Sequence, residues 1–164
     1  MKQLTQIEEW TLKKCGEIIF DSTKDNWELD TSTFDSKIYG RKQLLFIIED
    51  IEGNKFGGYI DSTIDEFQYS LTDWSAFLFS LESNGRLDGM KKFTIKDMLF
   101  AFCLFNKSSH RLFKFGRADI NIFKKGSGYK HSCEQCAFYY GGNQNTLCGT
   151  ETFELKRFIV IQMN

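Results

Sequence analysis

The sequence has no proline among its 164 residues and only two histidines, His110 and His131. No apolar run approaches the roughly 20 residues needed for a membrane-spanning helix. The opening stretch MKQLTQIEEWTLKKCGEIIF has no apolar segment leading to a small-residue cleavage site. These absences argue against membrane insertion and export, and place the chain inside the cell, in the cytoplasm. The missing proline, set beside abundant Phe, Ile, Lys and Asn, carries no chemical information. Enzyme signatures are missing too. Gly126-Ser127-Gly128 lacks the Gly-x-Ser-x-Gly spacing of a nucleophile elbow, and neither a phosphate-binding loop nor a dinucleotide fingerprint occurs. A cysteine nucleophile needs a base within hydrogen-bond reach. Nothing places either histidine beside Cys15 or Cys103, whose apolar neighbours fit inert packing. The pairs Glu8-Glu9 and Glu49-Asp50 read as solvated surface. The expectation is a non-enzyme with no cofactor, no catalytic residue and no metal.

What the chain does contain is enough apolar surface to fold: 41% hydrophobic and 26% charged residues. A chain of this length fits a single domain spanning 1–164. Its formal charge of −1 conceals a segregation. Lys107, Arg111, Lys114, Arg117, Lys124, Lys125 and Lys130 are accompanied by one acid, Asp119, so residues 107–131 carry +6 and the remainder −7.

Short apolar runs separated by Gly, Asn, Asp and Ser predict a mainly β (α+β) fold. EIIF at 17–20 reads as a strand, and residues 31–40 as a short helix capped by Thr31 or Ser32 and stopped by Gly40. Its Phe34, Ile38 and Tyr39 share a face. QLLFIIED and KFGGYI form a hairpin over 43–60, the first strand buried on both faces. DWSAFLFSLES is a third strong strand. KDMLFAFCLF fits either a strand or a helix. RLFKFGR and DINIFKK alternate as half-exposed strands, and CAFYYGG and TFELKRFIVIQM complete the set. Seven to nine strands with one or two small flanking helices are best buried as a two-layer antiparallel β-sandwich.

Three features carry candidate chemistry. Gly57 and Gly58 inside a strand mark a bulge or a close approach by other backbone, with Phe56 and Tyr59 anchoring the bend. His131, Cys133, Cys136 and Cys148 offer four soft ligands of the kind zinc takes. The spacing is not that of paired zinc knuckles, and inert thiols or a redox pair of Cys133 and Cys136 remain open alternatives. In an intracellular setting all five cysteines are expected to be mostly reduced. The basic segment, interleaved with Phe113, Phe115, Phe123 and Tyr129, fits either a solvated sheet face or a surface for nucleic acid or an acidic partner.

The order of these segments resembles the TLDc domain family. The resemblance begins at GRKQLLFIIEDIEGNKFGGYI, continues through AFLFSL and HRLFKFGRADINIFKKGSGYKHSC, and closes on TFELKRFIVIQM, with Trp10 in a leading helix or strand. It covers roughly residues 10–163. Two departures stand out: FGR replaces a triple-glycine element, and the chain ends in FIVIQMN without the usual Glu and Trp. The resemblance implies a role in the oxidative-stress response, no agreed catalytic reaction, and binding to the peripheral stalk of the vacuolar proton pump (V-ATPase). The alternative motivated by the basic segment is DNA binding as a regulator of stress genes, which adds the nucleus as a location. A thiol sensor is the third reading.

Overall fold

Leu44–Asp50 (β2) sets the architecture, because every second side chain on a strand faces the same way. Leu44, Phe46 and Ile48 enter one apolar cluster, whereas Leu45 and Ile47 enter another. Both faces are therefore covered, as the continuous apolar run required. The computed structural model describes residues 2–164.

The preceding elements are a helix, Lys2–Thr11 (α1), a strand, Cys15–Asp21 (β1), and a short helix, Phe34–Ile38 (α2). After β2 come Lys55–Ile60 (β3), Phe77–Glu82 (β4) and Lys91–Thr94 (β5), then a 3-10 turn at Met98–Phe100. The remaining strands are Phe102–Leu104 (β6), Arg111–Phe115 (β7), Ile120–Phe123 (β8), His131–Ser132 (β9), Thr152–Phe153 (β10) and Leu155–Met163 (β11). They form two antiparallel sheets, one ordered β1-β11-β2-β3-β4-β5 and the other β10-β9-β8-β7-β6. The larger core lies between them, joining Phe46, Phe158 and Val160 of the first sheet to Phe102, Phe113, Phe115 and Ile122 of the second. The expected two-layer sandwich with small helices is present. No helix among the described residues is long and apolar enough to cross a membrane.

The second cluster closes the outer face of the six-stranded sheet. Ile7 of α1 is buried against Leu45, Tyr59, Phe77, Phe79 and Ile161, with Trp10 packed alongside. Trp10 meets Phe77 edge-on at 6.3 Å. The chain leaves α1 where Thr11 Oγ1 donates back to Ile7 O at 2.9 Å and Leu12 turns to φ +57°. The Cys15 amide then donates to Glu8 Oε1 at 3.0 Å. Glu8 is thus a capping group rather than plain surface. Asp50 likewise departs from the expected solvated position: it is buried, and its carboxylate holds the Asn54 amide at 2.9 Å and Nδ2 at 2.7 Å across the β2–β3 turn.

The glycine pair in β3 reflects close approach and not a bulge. Its register with β2 runs unbroken from Leu44↔Ile60 to Glu49↔Lys55. A Cβ at Gly57 would collide with the Phe46 carbonyl oxygen, and one at Gly58 would lie 2.5 Å from the Phe115 ring. Gly57 lets β3 lie close to β2 and Gly58 lets the two sheets close on each other, with Phe56 and Tyr59 both buried beside them.

Other local expectations need correction. The helix expected over 31–40 is limited to Phe34–Ile38; Thr33 makes no side-chain cap, while Ser32 Oγ, one of the two expected caps, accepts the Phe34 amide at 3.2 Å. Tyr39 is exposed and stacks on Phe67 at 4.7 Å, while Phe34 and Ile38 are buried. KDMLFAFCLF is neither one strand nor one helix, but a 3-10 turn followed by β6. RLFKFGR is more buried than simple alternation allows, because a register shift between Arg111 and Phe113 turns Leu112 inward as well. CAFYYGG forms no strand beyond the single bridge of Phe138 to Ile95.

Candidate functional site

The β6–β7 loop, the end of β8 and the loop leading to β9 meet at one end of the smaller sheet, because Arg111 pairs with Phe123 in the β7–β8 register. Lys107, Arg111, Lys125 and Lys130 are brought to this end and are exposed. Aromatic rings lie among them. Tyr129, 58% exposed, stacks on Phe123 at 5.0 Å and meets His110 edge-on at 5.4 Å. Arg111 lies over the Phe105 and Phe123 rings, at 5.5 and 5.8 Å.

Of the other cations of the segment, Lys124 and Arg117 do not join them. Lys124 is 3% exposed, and its ammonium donates to the carbonyls of Asn106 at 2.7 Å, Lys107 at 3.0 Å and Ser109 at 2.7 Å. All three of its protons are used in pinning the loop, so Lys124 is structural and unavailable to a ligand. Burial pushes its pKa down. Lys114 is half-buried, with its ammonium 6.0 Å from the Phe105 ring. Arg117 follows the opposite end of β7, where it lies 3.9 Å over Phe100 and 3.7 Å from Asp97.

Beside the basic end opens a cleft of about 940 Å³. Trp27, Tyr129, Lys125, Lys130 and His131 line it, together with Arg86, Cys148 and Gly149. Trp27 and Arg86 were not singled out by sequence; each lies in a polar loop with no pattern to mark it. The Trp27 Nε1–H donates to Ser22 O at 3.1 Å. Arg86 Nη2 donates to Leu147 O at 3.1 Å, and its guanidinium lies against Gly149, where a Cβ would come within 2.9 Å of Nη1.

The four soft ligands are not assembled for a metal. Among the described residues no group of three or more His, Cys, Asp or Glu side chains converges on one point. His131 Nδ1 accepts the Phe123 amide at 3.1 Å, between the Trp27 and Phe153 rings. Burial pushes its pKa down to about 4, so the ring is neutral at pH 7. Cys136 is exposed, whereas Cys133 and Cys148 are both buried and act on each other's thiols, Cys133 being pushed up and Cys148 down. The thiol that neighbours Cys133 is therefore the more distant one in sequence. Burial pushes Cys15 and Cys103 up, away from the reactive thiolate.

The segment between these cysteines is held by Asp119. Its carboxylate accepts the Cys136 amide at 2.9 Å, the Ala137 amide at 3.0 Å and the Tyr140 hydroxyl at 2.6 Å. Those amides consequently have no free donor for a strand ladder, which is why CAFYY is not a strand. Gly116 completes the arrangement: it sits at φ +65°, and a Cβ there would collide with the Asp119 carboxylate.

The family model of the TLDc domain matches residues 1–160, and the chain belongs to that family. The family is connected with oxidative stress and is in general non-catalytic. No curated protein matches the chain.

Proposed function

We propose that this TLDc protein acts inside the cell as a single, non-enzymatic domain in the oxidative-stress response, by binding an acidic surface on a protein partner. The peripheral stalk of the vacuolar proton pump is the leading partner by family resemblance. The observation that carries the reading is the basic end of the smaller sheet. Lys107, Arg111, Lys125 and Lys130 are exposed at the same end of the sheet as the Tyr129 ring, and none of the four forms a salt bridge among the described residues. Cations free of salt bridges beside an exposed aromatic favour an oppositely charged partner and steer its approach.

One feature of the same surface favours a second reading. The exposed Tyr129 ring shares this end with the cations, an arrangement that suits stacking on a base while neutralising phosphates. DNA is the alternative partner on that ground.

A tagged pull-down from native lysate, split into nuclease-treated and untreated halves, separates the two. Stalk subunits recovered in both halves support protein binding. Defined DNA recovered only in the untreated half, without pump subunits, assigns the surface to nucleic acid.

A further inference from the structure

We propose that Cys148 is a hydroperoxide-modified thiol and that Cys133, fifteen residues earlier, resolves it to an intramolecular disulfide. Sequence spacing pointed to Cys133 with Cys136, and the fold selects a different pair. Cys133 leaves β9 as its amide donates to Glu151 O at 2.8 Å, which lays it beside the turn that carries Cys148. Both residues are 5% exposed and belong to the same core cluster. Pairing of Thr152 with Ser132 brings the turn that carries Cys148 alongside Cys133, and the two thiols act on each other. Cys136 is exposed instead, its amide committed to Asp119.

Position divides the roles. Cys148 is one of the residues lining the cleft of about 940 Å³, the side from which a small oxidant approaches; Cys133 is not among them. As a thiol, Cys148 donates to Thr150 O at 3.0 Å. As a thiolate it accepts the Cys133 proton, with further support from the Thr150 backbone N–H. Hydrogen bonding from Cys133 holds the Cys148 thiol down at about 7 against its own burial, while burial and the neighbouring sulfur drive Cys133 well up. Arg86 lies on Gly149, next in sequence to Cys148, and buried Asp50 pushes the Cys148 thiol up. The attacking and resolving sulfurs are thereby distinguished.

The chemistry balances with one hydroperoxide. The Cys148 thiolate attacks the terminal peroxide oxygen, the O–O bond breaks, and the departing oxygen takes up a proton as water or an alcohol. Cys148 is left as a sulfenic acid. Cys133 sulfur then attacks the Cys148 sulfur and the S–O bond breaks. A second water leaves with the Cys133 proton, and the disulfide closes. Peroxide is reduced by two electrons and the two thiols are oxidised. The bridge ties the Asp119-held segment to the cleft wall, and thiol exchange reverses it.

Treatment of the intact chain with limiting hydrogen peroxide, followed by alkylation and non-reducing peptide mapping, tests this directly. The expected product is a peptide pair linked through Cys133 and Cys148, formed before Cys15 or Cys136 is oxidised and lost on reduction with dithiothreitol. In Cys133→Ser, dimedone should label Cys148, and Cys136→Ser should leave the bridge unchanged. The unsubstituted chain decides the matter even if a variant folds poorly. Linkage of Cys133 to Cys136, or oxidation of Cys136 with Cys148 still alkylatable, would overturn the proposal.

Discussion

The Tyr140 hydroxyl donates to the Asp119 carboxylate at 2.6 Å, and both residues are buried. With the Cys136 and Ala137 amides on the same carboxylate, one aspartate supports the whole segment between β9 and the cleft. Asp119→Ala strands two amides and a phenol, so a loss of about 3 kcal/mol is expected in urea unfolding. Tyr140→Phe removes one bond and should cost about 1–2 kcal/mol. Equal losses for the two variants would contradict this hierarchy.

Lys124 and its neighbours should separate stability from binding. Lys124→Met leaves three carbonyls of the 106–109 loop without their donor and should destabilise the chain by about 2–4 kcal/mol. Lys125→Glu alters an exposed side chain and should shift stability by under about 0.5 kcal/mol. Thermal melts of both variants check the contrast.

Gly58→Ala puts a methyl group 2.5 Å from the Phe115 ring, itself packed against Phe46 and Phe102 at centroid distances of 5.2 and 5.1 Å. With no slack on the far side, the expected cost is at least about 2 kcal/mol. Recovery in the double variant Gly58→Ala, Phe115→Leu would identify the ring as the obstacle.

Acid sensitivity should report His131. Its pKa is about 4 in the fold, against an ordinary 6.5, because burial disfavours the imidazolium. As pH falls below 6.5 the unfolded chain takes up the proton first, so stability is lost between about 6.5 and 4. The loss reaches at most about 3 kcal/mol. His131→Gln lacks this titration. Its stability deficit relative to the unsubstituted chain should therefore be largest near pH 8 and shrink toward pH 4.5. A pH-independent deficit in urea midpoints would refute the assignment.

The legible parts of the fold were those fixed by local pattern. The run QLLFIIED announced a strand covered on both faces, and α1 supplies the second cover. The Gly57-Gly58 pair announced either a bulge or a close approach, and the Phe46 carbonyl and Phe115 ring make it the second. What stayed hidden depends on contacts between distant residues. CAFYY has strand composition, but Asp119 takes its amides from seventeen and eighteen residues away. Lys124 is indistinguishable from Lys125 in sequence; only the register of β7 with β8 sends one ammonium inward. Cys148 becomes the neighbour of Cys133 through the backbone bond at Glu151, which no spacing rule anticipates.

The central claim is that the basic end of the smaller sheet binds an acidic protein partner. Its most direct test is the affinity of the purified chain for isolated stalk subunits, with Lys107→Glu/Lys125→Glu/Lys130→Glu and Arg117→Glu measured alongside at low and physiological salt. The account predicts that the triple variant loses binding tenfold or more and that salt weakens the unsubstituted chain. Arg117→Glu, altered at the opposite end of β7, should bind normally. Equal affinity of the triple variant and the unsubstituted chain, at both salt concentrations, would contradict it.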